Sequence, residues 1–275
     1  MKISTEIGSA AALVGEERAI ELIAKAGFDA WDFSMFTVQD QPIDMPDYLA
    51  HARKLKEIGL ECGIVCNQSH APLWSQARGN LMYYMQRAIE CTAEAGGEIC
   101  IIHPWHDSSA AENASFYEKL LPFAKEHGVK IAAENVFNWD VEKDESCFAA
   151  CATTKDFLAH LDLVDDPCLV GCLDIGHAEL RGSGDGAANM IRALGSRLKA
   201  LHIHDNDRHH DYHRIPFSGS IDFKEVIKAL KEVHYSGYFT LEAIQHLTQF
   251  DKETVASGLN EMAEAARKMA DMFER

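Results

Sequence analysis

The sequence predicts an α/β protein, a (β/α)8 TIM barrel, on three observations. Short β-rich runs alternate with longer amphipathic runs along the chain, eight times in all. Several short runs, such as residues 99–102, are continuously apolar, which is typical of a parallel sheet covered from outside by helices. Residues with metal-binding side chains stand at or just past the ends of these runs, where a barrel enzyme builds its site.

Each predicted strand is followed by a predicted helix. The strands are predicted at residues 2–7, 28–34, 60–66, 98–103, 129–134, 168–174, 198–204 and 238–242. The helices are predicted at residues 16–26, 45–58, 79–95, 114–127, 153–163, 186–194, 223–233 and 252–272. Glycine readily adopts the left-handed conformation that ends a helix, so we expect four helix ends at Gly27, Gly59, Gly96 and Gly128. Polar stretches at 104–113, 135–152 and 205–221 are expected to be loops on the catalytic face.

The chain of 275 residues has the length of one barrel, and we expect a single domain over residues 1–275. It contains no run of about 18 apolar residues, and its first residues resemble a strand rather than a secretory signal. We therefore expect a cytoplasmic protein with no membrane partner and with reduced cysteines. No glycine-rich turn follows the first predicted strand, so we expect no nucleotide cofactor.

The net charge is −17, from 26 basic and 43 acidic residues. We find no run of lysine and arginine dense enough to follow a phosphate backbone. The charge therefore argues against a nucleic-acid partner and favours a role in solubility.

Four residues at predicted strand ends are the candidate metal ligands, namely Glu134, Asp174, His202 and Glu242. Each carboxylate ends an apolar run, where burial without a partner is costly, and a metal ion would remove that cost. Any one of them alone could instead cap a helix or pair with a base. Together they suit Mn²⁺, Zn²⁺, Co²⁺ or Mg²⁺.

Two further histidines accompany these ligands. His202 and His204 are two residues apart, so their side chains point to the same side of a strand. Either could bind the metal; we favour His202, with His204 behind it or against the substrate. His177 could donate a hydrogen bond to a substrate oxygen, bind a further metal ion or orient a carboxylate.

Seven short motifs, in this order and at strand ends, resemble the xylose-isomerase-like TIM-barrel superfamily over essentially the whole chain. That superfamily contains sugar isomerases, sugar 3-epimerases, inosose-processing enzymes and endonuclease IV. The motifs are Ser69-His70-Ala71-Pro72, Ile102-His103-Pro104, Ala133-Glu134-Asn135, Leu173-Asp174-Ile175-Gly176-His177-Ala178, His202-Ile203-His204-Asp205-Asn206, Asp211-Tyr212-His213 and Leu241-Glu242.

Resemblance to the epimerase branch implies that the four candidate ligands hold one divalent metal ion. It also implies that Glu134 and Glu242 move the proton and that His177 contacts the sugar oxygens. Arg208 stands six residues beyond His202, where the epimerases carry an arginine, and it would bind a hydroxyl or phosphate oxygen.

Resemblance to the endonuclease IV branch implies a larger ligand set that holds three zinc ions. There the four ligands are joined by the counterparts of His70, His103, His177, Asp211 and His213. The sequence has candidates for all of these positions, so the metal count stays open between one and three.

The residues and the resemblance together predict a divalent-metal-dependent isomerase or epimerase of a sugar, sugar phosphate or polyol. Glu134 and Glu242 would be its catalytic residues, and the proton would move through a metal-bound enediolate. The alternatives are a multi-zinc phosphoesterase like endonuclease IV and a metal-dependent sugar-binding protein without turnover. A small-molecule sugar is the expected partner, and the barrel is compatible with a homo-oligomer. Apolar walls for the sugar could come from Trp31, Phe33, Trp105, Phe137 and Trp139, although any one of these alone is more often a packing residue.

Overall fold

The computed structural model describes residues 1–35, 46–73 and 80–275. Its strands are β1 (Ile3–Glu6), β2 (Ala30–Ser34), β3 (Val65–His70), β4 (Ile99–Ile101), β5 (Lys130–Glu134), β6 (Asn138–Asp140), β7 (Glu145–Cys147), β8 (Leu169–Asp174), β9 (Leu198–His202) and β10 (Phe239–Leu241). Eight of them form one parallel sheet in the order β10-β1-β2-β3-β4-β5-β8-β9. A parallel bridge between Ile203 and Leu241 joins the two edges, so the sheet forms a nearly closed barrel. The predicted (β/α)8 TIM barrel is confirmed.

The helices cover the outside of this barrel. They are α1 (Gly8–Val14), α2 (Glu16–Ala26), α3 (Tyr48–Glu61), α4 (Leu81–Ala95), α5 (Ala110–Glu126), α6 (Thr154–Val164), α7 (Ile175–Glu179), α8 (Ala187–Leu194), α9 (Phe223–Glu232), α10 (Ile244–Leu247) and α11 (Val255–Glu274). None of the described helices has the length and apolar character needed to cross a bilayer. Within the described ranges no cysteine is paired with another.

The sequence did not predict α1, α7, α10 or the antiparallel hairpin of β6 and β7. All of them lie in connections that follow barrel strands, namely those after β1, β8, β10 and β5. They are too short to show the periodic pattern of a longer element. The predicted helix starts at residues 45 and 79 lie outside the described residues.

The third predicted strand is shifted along the chain. Helix α3 continues through Glu61, and the chain reverses at Gly63, whose φ is 81°. The strand β3 then runs over Val65–His70. Because four of its six residues are polar, it does not have the apolar pattern by which the other strands were predicted. Gly59 therefore does not end the helix. A Cβ there would lie 3.0 Å from Nε1 of Trp31, so the glycine permits close packing.

The other three predicted helix ends are confirmed, since Gly27, Gly96 and Gly128 have φ values of 96°, 87° and 69°. Each of these values lies in the left-handed region that glycine adopts without a steric cost.

Side chains along each barrel strand alternate between the barrel interior and the outer core shared with the helices. The barrel interior contains a small apolar cluster of Ile101, Ala132, Val170, Cys172 and Ala200. Side chains two residues apart on a strand point to the same side. The next inward positions toward the carboxyl ends are therefore those of His103, Glu134, Asp174 and His202.

Trp31 and Phe33 lie on the opposite side of β2. Both are fully buried in the larger core that the strands share with the helices, and their ring centroids are 5.6 Å apart. The prediction that they line a sugar cavity is wrong, because Asp32 between them occupies the inward position.

Asn113 of α5 holds the loop that follows His103, and this contact is testable. Its side chain accepts the Trp105 N–H at 2.8 Å, donates to the Trp105 carbonyl at 3.2 Å, and donates to His160 Nε2 at 3.1 Å. Asn113→Ala removes these bonds and leaves a buried imidazole nitrogen without a partner. We expect the free energy of unfolding in urea to fall by about 2–4 kcal/mol. The exposed Asn189→Ala should change it by less than about 0.5 kcal/mol, and equal values for the two variants would contradict this role.

Candidate active site

Glu134, at the end of β5, is the centre of a buried group of imidazoles. Its Oε1 lies 2.8 Å from Nδ1 of His202, and its Oε2 lies 3.1 Å from Nε2 of His103 and 3.7 Å from Nε2 of His70. The Nε2 atoms of His70 and His103 are 2.9 Å apart. His70, His103 and Glu134 thus bring two ring nitrogens and a carboxylate oxygen together in a set that could hold a metal ion.

Glu242, beyond β10, approaches the imidazole of His202 as well. Its Oε2 lies 3.6 Å from Nδ1 of His202 and 3.7 Å from Nδ1 of His213. One ring nitrogen therefore faces both predicted catalytic glutamates. His70, His202 and Glu242 form a second set with metal-ligand spacing.

A second group lies where β8 and β9 end. Asp211 Oδ2 is 2.9 Å from Nε2 of His213 and 3.3 Å from Nε2 of His177. Nε2 of His204 is 3.1 Å from Asp174 Oδ1 and 3.4 Å from Asp211 Oδ1. The imidazoles of His204 and His213 are stacked with centroids 3.8 Å apart. These residues, except Asp174, form a further potential metal-binding set.

Several polar atoms of the second group lack partners. Asp174 Oδ2, Asp211 Oδ1 and both ring nitrogens of His204 are buried without a hydrogen bond of good geometry to any described residue. Buried polar atoms without partners are destabilising. Oxygen and nitrogen donors in this state fit a bound cation.

Asn135 fixes the position of Asp174 relative to Glu134. Its side chain accepts the Asp174 N–H at 2.8 Å and donates to the Asp174 carbonyl at 2.9 Å. Its own carbonyl lies 3.0 Å from Nδ1 of His177. Neighbouring strand ends are therefore joined by hydrogen bonds that hold the ligand-type side chains in place.

Ten of the eleven predicted site residues are brought into these two groups. Arg208 is the exception: it is exposed, and its Nη2 lies 3.2 Å from Glu179 Oε2. Its backbone is left-handed, with φ of 66°, and its carbonyl accepts the Arg181 N–H at 2.9 Å. Among its described contacts, none is with either ligand group.

Two residues that the sequence reasoning missed lie behind His202. Nε2 of His202 is 3.2 Å from Asp32 Oδ2, and the same oxygen accepts a hydrogen bond from Gln68 at 2.9 Å. This leaves Nδ1 directed toward the glutamates. Asp32 could have been found by the criterion applied to Glu134, since it is a carboxylate within an apolar run. Gln68 could not, because its segment was not predicted as a strand.

The two glutamates differ in charge in the metal-free protein. Burial raises the pKa of Glu242 to about 8. Burial would also raise the pKa of Glu134, but the facing imidazoles of His202 and His103 hold that pKa well below its ordinary value. At neutral pH Glu134 is therefore ionised and Glu242 protonated.

For two neighbouring histidines, His202 and His213, the facing carboxylates outweigh the effect of burial on the pKa. Burial opposes protonation of His202 and His213, but the facing carboxylates raise both pKa values, that of His213 to about 9. For His202 the main partner is Glu134, and for His213 it is Asp211. Imidazolium and carboxylate groups thus stabilise one another when no cation is bound.

The metal-free protein should lose stability as pH rises from about 6.5 to about 9. The folded protein keeps the His213 proton up to about pH 9, whereas the unfolded chain releases it near 6.5, so this contribution is lost across that interval. Glu242 acts in the same direction, because the unfolded chain ionises near 4.5 and the folded protein only near 8. Urea unfolding of chelator-treated protein should show a lower free energy of unfolding at the alkaline end.

A matched variant separates the two contributions. Glu242→Gln has no proton to release, so its stability should fall less over the same pH interval. Constant or rising stability of the wild type toward alkaline pH would show that these groups do not titrate as described.

Comparisons with known proteins identify the family of this chain. The family model described as xylose isomerase-like TIM barrel matches residues 20–273. An L-ribulose 3-epimerase of Methylomonas sp. (strain DH-1) is 25% identical over 242 residues, 83% of this chain and 78% of that protein. The crystal structure of a D-tagatose 3-epimerase-like protein has a TM-score of 0.75 and 22% identity over 100% of this chain and 98% of its own. The structure of the IOLI protein with a bound zinc atom has a TM-score of 0.73 and 18% identity, covering 100% of this chain and 98% of that one. The chain therefore belongs to the xylose isomerase-like TIM barrel family.

Proposed function

We propose that this protein is a divalent-metal-dependent sugar isomerase or epimerase. The observation that carries the proposal is the convergence of Glu134 and Glu242 on His202 Nδ1, at 2.8 and 3.6 Å. Two carboxyl groups beside one candidate metal ligand are suited to take and give a proton. Membership of the family and similarity to an L-ribulose 3-epimerase support a sugar substrate.

The residues that would hold the metal ion are Glu134, His202 and Glu242 of the first group and Asp174 of the second. Their fit to a cation is supported by the buried Asp174 Oδ2, which has no hydrogen-bond partner among the described residues. A divalent ion bound there would supply Lewis acidity toward a carbonyl and a neighbouring hydroxyl of the substrate. Imidazole and carboxylate side chains bind zinc or manganese. The IOLI protein, which has a similar fold, was solved with a bound zinc atom.

The chain's own residues would then perform the proton transfer. Glu134, ionised at neutral pH, removes the proton from the carbon next to the carbonyl. Glu242 delivers a proton taken from solvent to the opposite face of that carbon, and the net result is inversion at one centre. In the reverse reaction the two residues exchange roles. His177, packed against Phe137 with ring centroids 5.1 Å apart, would contact a substrate hydroxyl.

The direct test is a panel of ketoses with metal-reconstituted protein in deuterated water. Solvent label should appear at a single carbon by NMR in a substrate that the protein epimerises. Glu134→Gln and Glu242→Gln should each reduce turnover by about 10²–10⁴-fold without unfolding the protein. Glu126→Gln, an exposed glutamate of α5, is the matched control. Full turnover by either of the first two variants would refute the proposed roles.

Asp32 should set the affinity of the metal site. It accepts a hydrogen bond from Nε2 of His202 and so keeps Nδ1 available as a ligand. Asp32→Asn should weaken Co²⁺ binding, followed by its visible absorption without substrate, by about 10–100-fold. Turnover should recover largely at saturating metal, as expected of a residue that orients a ligand. Asp271→Asn, on the exposed face of α11, should bind as the wild type does.

Equal Co²⁺ affinity of Asp32→Asn and Asp271→Asn would show that the contact with His202 does not orient a ligand.

A multi-zinc phosphoesterase is the second candidate. It is favoured by the sets His70–His103–Glu134 and His177–His204–Asp211–His213, which are more donors than one ion requires. It ranks lower because of the net charge of −17 and because one of the matched relatives is an L-ribulose 3-epimerase. Three zinc ions at the barrel end and nicking of damaged DNA would favour it, and one ion without nicking would exclude it.

A further inference from the structure

A third group of metal-binding side chains shares no residue with the two groups at the barrel end. It consists of Asp144, His209 and His210, which we call the outer site. Asp144 is in the turn between β6 and β7, and the two histidines are in the connection that follows β9. The outer site thus spans two of the three long connections on the carboxyl side of the barrel.

The donors of the outer site are close enough to share one ion. One ligand atom from each residue lies within 4.8 Å of one from each of the others. Nε2 of His209 donates to the Asp144 carbonyl oxygen and lies 3.6 Å from Asp144 Oδ2. Ligands at about 2.1 Å from a zinc ion are about 3.4 Å apart, so small rotations of these partly exposed side chains suffice.

Surrounding residues already orient both imidazoles. Trp139 stacks on His209 and on His210, with centroid distances of 5.7 Å and interplanar angles of 22° and 26°. Asp207 Oδ1 accepts hydrogen bonds from the backbone N–H groups of His209 and His210, at 2.9 and 2.7 Å. Asp207 Oδ2 lies 3.3 Å from Nδ1 of His210, which leaves Nε2 of that ring as the ligand atom. A carboxylate behind a ligand imidazole is the usual arrangement in metal sites.

We propose that Asp144, His209 and His210 bind one transition-metal ion of the Zn²⁺, Ni²⁺ or Cu²⁺ class. Two imidazoles and one carboxylate select these ions over Mg²⁺ and Ca²⁺, which prefer all-oxygen sites. The ion joins the β6–β7 hairpin to the connection after β9, and water completes its coordination. The proposal does not depend on the reaction that the barrel end performs.

The ion would also restrain Arg208, the residue immediately before His209. The left-handed backbone of Arg208 and its pairing with Glu179 fix one side of this segment. Ligation of His209 and His210 fixes the other side. Metal binding at the outer site is therefore expected to order the hairpin and this segment together.

The test is a Zn²⁺ titration of untagged full-length protein by calorimetry, with the number of bound ions checked by elemental analysis. The wild type should bind one ion more than His209→Asn or His210→Asn, or bind it at least about tenfold more tightly. His234→Asn replaces an exposed histidine remote in sequence and should match the wild type. Near-native circular dichroism of each variant ensures that the comparison concerns folded protein.

Hydrogen exchange supplies an independent measurement. Zn²⁺ should slow exchange of amides in residues 138–147 of the wild type and of His234→Asn, but not in the two ligand variants. If all four proteins bind the same number of ions with equal affinity, or if Zn²⁺ leaves hairpin exchange unchanged in the wild type, the outer site is not a metal site.

Discussion

The buried carboxylate of Glu134 imposes the constraint on which the rest of the site depends. Its charge would be costly in the barrel interior if it were alone. It is stable there because imidazoles from three neighbouring parts of the barrel, His70, His103 and His202, point toward it. The same requirement recurs at Asp174 and Asp211, which face His177, His204 and His213. Each of these three carboxylates therefore lies against histidines that offset the cost of burying its charge.

The sequence predicts this arrangement well because the barrel repeats a single rule. A ligand-type residue that ends an apolar strand is placed at the mouth of the barrel by the register of its neighbours. Glu134 is opposite Cys172 in the next strand, and Asp174 is opposite His202. No long-range calculation is needed to bring such residues together, since every parallel strand ends on the same face.

The rule fails where a side chain's direction matters more than its position along the chain. Trp31 and Phe33 lie in β2, but the alternation of that strand turns them into the outer core and presents Asp32 inward. Four of the six residues of β3 are polar, so its pattern is not that of an apolar run. Arg208 lies in a connection, where the partner Glu179 comes from a helix that the sequence did not reveal. Such contacts follow from tertiary packing and not from local periodicity.

Helix α7 brings the backbone of Gly176 against the ring of His204, so that a Cβ at this position would lie only 1.9 Å from Cε1 of the imidazole. The two positions therefore share one fixed volume. In related sequences a bulkier residue at 176 is compatible only with a smaller one at 204, which would also remove an imidazole from beside Asp174. Covariation of positions 176 and 204 would therefore separate two kinds of relatives. One kind keeps the complete second ligand group, and the other has an apolar side chain in the place of the imidazole.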